Sequence, residues 1–303
     1  MKVRFWGVRG SIPTPGPDTV RYGGDTTCIE VRAGNELIII DAGSGIRRLG
    51  LHLMKAAHGQ PLRIHLLMTH THWDHIQGFP FFIPAFCPNN TLFIYGCGSV
   101  NKTTEQILAG QMQCEYFPVT MKQMLAEKRF IRISEQPFTI GEVNVQPMYT
   151  NHPEKALAFR LEYRDSVVVF TGDHEPYDLV LSKAAETYCV EGKPCVPGTP
   201  TFIDSLDDKL ARFASGADAL IFDAAYTYES YKAGKRGYGH SYPEYAVKIA
   251  AKAGVKQLIL THYDPLETDD DIDAKIRHTR QFVEDLGVDV VCYGARAGLE
   301  IEV

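Results

Sequence analysis

THTHWDHIQG, residues 69–78, holds three of the eleven histidines of this chain within six positions, together with an aspartate. The segment before it, Leu62 to Met68, is apolar and predicts a buried strand that leads directly into the motif. Because the backbone turns sharply after a strand, the first two histidines can face one metal ion, and the Asp-His pair can reach a second. Zn²⁺, Mn²⁺ and Fe²⁺ all accept neutral imidazole and carboxylate as ligands, so the motif predicts a metal site.

Ligand-type residues also follow three later segments of strand character. Taken singly, each is as easily a loop histidine or an aspartate that caps a helix, but together with the motif they favour one site where strand ends meet. They are His152 after Val143 to Met148, Asp173 after Val167 to Phe170, and His262 after Gln257 to Leu260.

Strand and helix signals alternate along the chain and predict an α/β fold. Beside the strands already named, the predicted strands are Lys2 to Trp6, Thr27 to Val31, Leu37 to Ile40, Ala158 to Tyr163, Ala219 to Phe222, Val288 to Cys292 and Leu299 to Ile301. The first three should form an antiparallel set. The predicted helices of the main part are about Ile46 to Ala57, Tyr242 to Ala253 and Asp269 to Leu286.

Two stretches stand apart from this alternation. Residues 97–135 carry helical stretches at Thr103 to Met112 and Val119 to Glu127, and we interpret them as an elaboration of the core. Thr187 to Thr201 is rich in Gly, Pro and Thr and predicts a loop.

The composition is that of a globular protein with an acidic balance. The 303 residues include 31 Lys and Arg against 37 Asp and Glu, which gives a net charge of −6 and disfavours a general nucleic-acid coat protein. The chain shows no apolar run of membrane-spanning length and no signal-peptide layout, so we expect neither membrane insertion nor secretion. Seven scattered cysteines without a CxxC pair predict a reducing cytoplasm, although a Cys189–Cys195 bridge stays open.

The motif of residues 69–78 matches the HxHxDH signature of the metallo-β-lactamase fold, and the three later ligands follow its order. The resemblance extends from LIIIDAG, residues 37–43, to LTHYDP, residues 260–265. It implies a four-layer αββα sandwich, with residues 1–303 as a single domain, and two divalent metal ions, Zn²⁺ or Mn²⁺ with Fe²⁺ also accepted. The ligands carried over by position are His70, His72 and His152 for one metal, Asp74, His75 and His262 for the other, and Asp173 bridging both.

Residues 220–265 resemble the phosphodiesterase branch, which includes transfer-RNA 3′-processing nucleases and the cyclic-phosphate and cyclic-nucleotide diesterases. FWGVRGSIPTPG, residues 5–16, and RYGGDTTC, residues 21–28, also resemble this branch. In it an acidic residue after a strand pairs with a histidine before a helix, and Asp223 and His240 occupy those places. A carboxylate that orients an imidazole lets it protonate a departing alkoxide. The alternative is that His240 only begins the next helix.

The resemblance implies a metal-dependent phosphodiesterase, which the cysteine pattern places in the cytoplasm. We expect its substrate to be a small phosphodiester, such as a cyclic nucleotide or cyclic sugar phosphate. A hydroxide held by two metals would attack phosphorus, and His240 would act as general acid. The catalytic residues are then Asp74, His240 and Asp223. Three alternatives stay open: a transfer-RNA 3′-end endonuclease, a thioesterase or lactonase on the same metal site, and a non-catalytic metal-binding sensor.

The expected partner is a small anionic phosphodiester, without a membrane and with a homodimer as one option. Transfer RNA is less favoured because acidic residues partly balance the basic residues of the elaboration. The basic residues are Lys102, Lys122, Lys128, Arg129 and Arg132, and the acidic ones are Glu105, Glu115, Glu127 and Glu135.

Several residues near the motifs have open roles. Asp41 either orients a metal-ligating histidine or caps the next helix, and His174 is expected to point away from the metals. The loop residues Arg9, Ser11, Arg236 and Tyr238 could reach a substrate. The remaining histidines are interpreted as structural or surface residues: His52, His58, His65 and His278.

Overall fold

The computed structural model describes residues 1–178 and 200–303, which fall into two compact units. The first unit comprises residues 1–144 and 296–302, and the second comprises residues 145–295 and 303. The predicted loop Thr187 to Thr201 and the open Cys189–Cys195 bridge lie outside the described residues, except that residues 200 and 201 begin a helix instead.

The first sheet has seven strands in the order β14-β1-β2-β3-β4-β5-β6. They are β1 (Lys2–Gly7), β2 (Cys28–Ala33), β3 (Glu36–Ile40), β4 (Arg63–Leu67), β5 (Thr91–Gly96), β6 (Glu127–Arg132) and β14 (Glu300–Glu302). β1 to β3 pair antiparallel, as predicted, and β3 to β6 pair parallel. Because β3 and β4 are parallel neighbours, Asp41 and the motif of residues 69–78 leave the sheet at the same edge.

The helices of the first unit are α1 (Gly45–Ala57), α2 (Trp73–Ile76) and α3 (Thr104–Gly110). α1 buries Ile46, Leu49 and Leu53 in a core that also includes Ile39 and Leu66. Its apolar residues recur at helical spacing, so one face of the helix covers the sheet. His58, the residue directly after the helix, has a left-handed backbone that ends it.

The second sheet has the order β13-β12-β11-β10-β9-β8-β7. Its strands are β7 (Phe138–Ile140), β8 (Val143–Tyr149), β9 (Leu157–Tyr163), β10 (Ser166–Phe170), β11 (Ala219–Asp223), β12 (Gln257–Thr261) and β13 (Val291–Gly294). β10 to β13 pair parallel, so the carboxyl ends of β10, β11 and β12 lie side by side. The α-helices between these strands are α4 (Pro200–Phe213), α5 (Tyr228–Ser230), α6 (Pro243–Ala253) and α7 (Asp269–Leu286).

The second predicted helix of the elaboration, Val119 to Glu127, is wrong. The Thr120 side chain and Gln123 close only one 3₁₀ turn, Met121–Gln123. The Ala126 and Glu127 amides then donate to carbonyls of other loops, and Glu127 begins β6. The last strand but one is also shifted, from the predicted Val288 to Cys292 to Val291–Gly294.

Two mixed sheets with helices beside them confirm the α/β class. That residues 1–303 form one domain stays a prediction. Among the described helices, none combines the length and the apolar character needed to cross a membrane.

Candidate metal centre

The motif of residues 69–78 groups its histidines closely within the first unit. His72 has an extended backbone and α2 begins directly after it, so the chain reverses there. The ring centroid of His70 lies 4.5 Å from that of His72 and 4.3 Å from that of His75. His70, Asp74 and His75 are buried, and His72 is exposed. Three imidazoles and a carboxylate are thus brought together by six residues of chain.

Asp41 orients His75. It follows β3, is fully buried, and accepts hydrogen bonds from the Thr69 amide at 2.8 Å, the Thr69 hydroxyl at 2.7 Å and His75 Nδ1 at 2.7 Å. The helix after it begins at Gly45 with Ser44 in the cap position, so Asp41 does not cap it. Burial raises the pKa of Asp41, although the neighbouring His75 opposes that rise. With Nδ1 held by Asp41, His75 offers Nε2 to a ligand.

Asp74 is held by the loop after β1. The backbone amide of Ser11, which has a φ of 63°, donates to Asp74 Oδ2 at 2.7 Å. The same oxygen lies 3.3 Å from His75 Nε2. Ser11 therefore contacts a predicted ligand through its main chain, whereas the sequence marked it only as a loop residue that could reach a substrate.

Asp173, Asp223 and His262 lie at the carboxyl ends of adjacent parallel strands: Asp223 is the last residue of β11, and Asp173 and His262 follow β10 and β12. His262 Nε2 lies 3.2 Å from Asp173 Oδ1, and both residues are buried. With His240 they form a group in which one ligand atom from each residue lies within 4.8 Å of the others. The carboxyl edge of this sheet thus collects the ligand-type residues that the sequence predicts for the second unit.

The Asp223–His240 pair predicted from the sequence is present. Asp223 Oδ2 lies 2.9 Å from His240 Nδ1, and it also accepts from the His174 amide at 3.2 Å, while Oδ1 accepts from the Ala225 amide at 3.0 Å. His240 Nδ1 is 3.9 Å from Asp173 Oδ2. Burial lowers the pKa of His240, but Asp223 and Asp173 outweigh burial and leave that pKa raised.

His152 is fixed by the loop that carries His240. Its Nδ1 lies 2.9 Å from the carbonyl oxygen of Gly239, and its ring centroid lies 5.7 Å from that of His240. Gly239 has a φ of 91°, and a Cβ there would lie 2.2 Å from His152 Nδ1, so the position requires glycine. Since Nδ1 donates its proton to this carbonyl, Nε2 is the ring nitrogen that carries no proton.

Glu175 holds the same loop, and the sequence did not single it out. This carboxylate is fully buried and accepts from the Gly237 amide at 2.6 Å, the Gly239 amide at 2.7 Å and the Tyr231 hydroxyl at 3.0 Å. Burial raises its pKa, and these donors oppose the rise. Glu175 therefore positions the loop next to both His152 and His240. Its place in TGDHE, two residues after Asp173, was the available signal.

His174 points away from the predicted ligands, as expected. Its ring lies among Tyr177, Phe222 and Tyr245, with centroid distances of 5.0 to 5.9 Å, and its Nδ1 accepts from the Asn151 amide at 3.2 Å. Burial lowers its pKa to about 3, so the ring is neutral. Its backbone amide, rather than its side chain, contributes to the site through Asp223.

Arg9, His65 and His278, which the sequence also marked, lie in different surroundings. Arg9 is fully buried and donates from Nε to the carbonyl of Gly23 at 3.0 Å. His65 is buried beside the Tyr95 hydroxyl, and burial lowers its pKa to about 4. His278 is exposed and lies 2.7 Å from Glu244.

The donor set fits divalent metal ions. All seven predicted ligands belong to groups of His and Asp side chains that could hold one. Three of the histidines, His70, His75 and His152, have Nδ1 within hydrogen-bond distance of an oxygen, as metal-ligating histidines usually do. The assignment of individual ligands stays a prediction.

A model described as Beta-lactamase superfamily domain matches residues 36–189, just over half of the chain. The chain belongs to the beta-lactamase superfamily. With the His and Asp groups, this membership supports a dinuclear metal site and confirms a metal-dependent hydrolase.

Proteins of similar sequence and structure confirm the resemblance to the phosphodiesterase branch. Ribonuclease Z of Thermoplasma acidophilum is 24% identical over 290 residues, covering 89% of this chain and 88% of that protein. Among solved structures, the metallo-beta-lactamase fold protein YhfI of Bacillus subtilis has a TM-score of 0.66 at 19% identity, covering 100% and 99% of the two chains. The short form of human tRNase Z has a TM-score of 0.62 at 19% identity, with the same coverage. These structures confirm the α/β sandwich fold.

Proposed function

We propose that this chain hydrolyses a small phosphodiester and that His240 protonates the departing oxygen. The observation that carries the proposal is the Asp223–His240 pair at 2.9 Å, placed 3.9 Å from Asp173. The fully buried carboxylate of Asp223 raises the pKa of His240 and so favours the protonated imidazole, which is the form that a general acid needs. The side chain of His240 is 12% exposed, so a substrate can reach it.

The proposed ligands are His70, His72 and His152 for one metal and Asp74, His75 and His262 for the other, with Asp173 bridging. Zn²⁺ or Mn²⁺ is the proposed metal, since both accept this donor set. When bound, two such ions lower the pKa of a water molecule and neutralise charge on the phosphate oxygens.

The roles of this chain's own residues follow from their contacts. Hydrolysis adds a water oxygen to phosphorus and breaks the bond between phosphorus and the leaving alcohol oxygen, which then needs a proton. Since Asp223 holds Nδ1 of His240, the proton comes from Nε2. Asp41 and the Gly239 carbonyl keep His75 and His152 in the tautomer that exposes Nε2. Asp74 is included among the proposed catalytic residues because its carboxylate lies beside Nε2 of His75.

The elaboration supports a small substrate over transfer RNA. Of its basic residues, Lys128 donates to the Met124 and Ala126 carbonyls, and Arg129 lies 2.8 Å from Glu127. These two cations are already engaged, which weakens the segment as a phosphate-docking surface.

A transfer-RNA 3′-end endonuclease is the second candidate, favoured by the ribonuclease Z relatives. A gel shift with precursor transfer RNA at low and physiological salt separates the two candidates. Tight, salt-sensitive binding followed by 3′-trailer release would favour the second. Turnover of cyclic nucleotides without such binding would favour the first.

The reaction class is tested with protein loaded in turn with Zn²⁺ and Mn²⁺. We expect hydrolysis of bis(p-nitrophenyl) phosphate, with little turnover of p-nitrophenyl phosphate, a thioester or a lactone. Turnover of the carbon esters alone would contradict the phosphodiesterase proposal and favour a thioesterase or lactonase.

The role of His240 is tested with two esters of uridine 5′-phosphate, the methyl ester and the p-nitrophenyl ester. The variant H240A should slow methyl ester cleavage by about 100-fold or more, because methoxide needs a proton to leave. It should affect the p-nitrophenyl ester far less, because p-nitrophenolate leaves without one. H278A, at an exposed histidine, is the control. An equal loss on both esters would contradict the general-acid role.

We also propose a cytoplasmic location. Five cysteines of the described residues, Cys28, Cys87, Cys97, Cys114 and Cys292, are free thiols, which suits a reducing compartment. The homodimer stays a prediction.

A further inference from the structure

The segment of residues 226–242, which contains His240, is basic and aromatic within an acidic chain. It holds three basic residues against one acidic residue, together with five tyrosines. The tyrosines are Tyr226, Tyr228, Tyr231, Tyr238 and Tyr242, the basic residues are Lys232, Lys235 and Arg236, and the acidic residue is Glu229. Tyr226 and Tyr231 are buried with Tyr242 packed against them, and Tyr228 and Tyr238 are exposed. Exposed aromatic rings beside cations are typical of surfaces that contact nucleotides.

Lys235 connects this segment to the general acid. Its Nζ lies 5.4 Å from the centroid of the Tyr226 ring and 5.7 Å from that of the Tyr238 ring. The Tyr226 ring in turn lies 5.7 Å from the His240 ring, at an interplanar angle of 80°. The surface formed by Lys235 and Tyr238, here called the Lys235–Tyr238 surface, is therefore separated from His240 by one aromatic ring.

Tyr238 is held in place although it is exposed. The residues on both sides of it, Gly237 and Gly239, donate their amides to Glu175, and the Tyr238 amide donates to the Lys235 carbonyl at 3.3 Å. Tyr238 is nevertheless 60% exposed. A fixed backbone that presents an exposed aromatic ring offers a stacking face at low entropy cost.

The neighbouring cations differ in their availability. Arg236 Nη2 donates to the Asp178 carbonyl at 2.9 Å and lies 3.3 Å from its carboxylate, so Arg236 anchors the loop. Lys235 forms an ion pair with Asp264 at 3.7 Å, which is longer than a hydrogen bond, and its side chain is 36% exposed. Lys232 is exposed and lies over the Tyr228 ring, so Lys235 is the cation of this segment that lies beside Tyr238.

We propose that the Lys235–Tyr238 surface binds a nucleoside carried by the leaving oxygen, with its base stacked on Tyr238 beside Lys235. This inference rests on the proposed function. Because His240 gives its proton to the leaving oxygen, the group attached to that oxygen lies on the side of His240, where this surface begins. The preferred substrates are then phosphodiesters with a nucleoside as the leaving alcohol.

The test compares two substrates that release the same nucleotide. Diuridine monophosphate, cleaved at its 3′ oxygen, and the methyl ester of uridine 5′-phosphate both yield uridine 5′-phosphate, but the first expels uridine and the second methanol. We expect Y238A to raise KM for the dinucleotide about 5- to 100-fold and to leave KM for the methyl ester unchanged. Y238F should retain wild-type KM, since stacking needs the ring and not the hydroxyl.

Y116A is the matched control, because Tyr116 is a 73% exposed tyrosine of the first unit. It should alter neither KM. An equal rise in KM on both substrates after Y238A, or no rise on either, would overturn the inference. Wild-type turnover of bis(p-nitrophenyl) phosphate without turnover of the dinucleotide would overturn it while the phosphodiesterase proposal stands. Absence of turnover on every diester would instead overturn the proposed function.

Discussion

At the residue scale, Asp41 decides which nitrogen of His75 is offered to a metal. Oδ1 accepts from the Thr69 amide and Oδ2 from His75 Nδ1, so an asparagine that keeps the first bond turns its amide nitrogen toward Nδ1. That nitrogen is a donor and favours the tautomer with a proton on Nε2. We expect D41N to weaken metal binding about 10- to 100-fold, measured by titration calorimetry with Zn²⁺ and Mn²⁺. D18N, at an exposed aspartate, should bind as the wild type does; equal affinity in both variants would contradict this role of Asp41.

The sequence located the ligand-type residues more readily than the residues that hold them. The motif of residues 69–78 is dense and follows a strand, so its residues could be predicted from spacing alone. The place of Glu175 in TGDHE marks it as a candidate, but its role could not be predicted. Its partners Gly237 and Gly239 are 62 and 64 residues away, and both have a positive φ that no local pattern reveals. Asp41 was found as a candidate, but only its contact with His75 separated the two roles left open for it.

At the scale of elements, local capping contacts set both boundaries of α7. Thr268 accepts from the Asp271 amide while Asp271 accepts from the Thr268 amide, and the helix ends at Gly287 with a φ of 63°. These contacts explain why Asp269 to Leu286 was predicted with both ends correct. β6 is the opposite case. Its sequence, EKRFIR, is charged, and its pairing with β5 rather than its own pattern makes it a strand.

The cap of α7 gives a prediction for stability. T268A should lower the free energy of unfolding by about 1 kcal/mol at neutral pH, measured by urea denaturation. Hydrogen bonds from Thr268 lower the pKa of Asp271. Their contribution to the free energy of unfolding is therefore present above the ordinary aspartate pKa and is lost as the pH falls through the lowered pKa. The difference between T268A and wild type should therefore narrow in acid. T268S, which keeps the hydroxyl, is the control, and a difference that widens in acid would contradict this account.

At the scale of the whole molecule, metal binding separates the two possible roles of His240. His240 belongs to a group with Asp173, Asp223 and His262 that could itself hold an ion, so its geometry alone allows a ligand as well as an acid. A ligand that binds only the folded chain stabilises it by about 2.7 kcal/mol at a free concentration 100 times Kd. We expect Zn²⁺ or Mn²⁺ to raise Tm in scanning calorimetry, H70A to remove most of that rise, and H240A to keep it. H240A should keep the rise because Asp223 occupies Nδ1 of His240 and leaves Nε2 as the proton donor. Loss of the Tm rise in H240A would instead show that His240 is a metal ligand, and another residue would have to be the general acid.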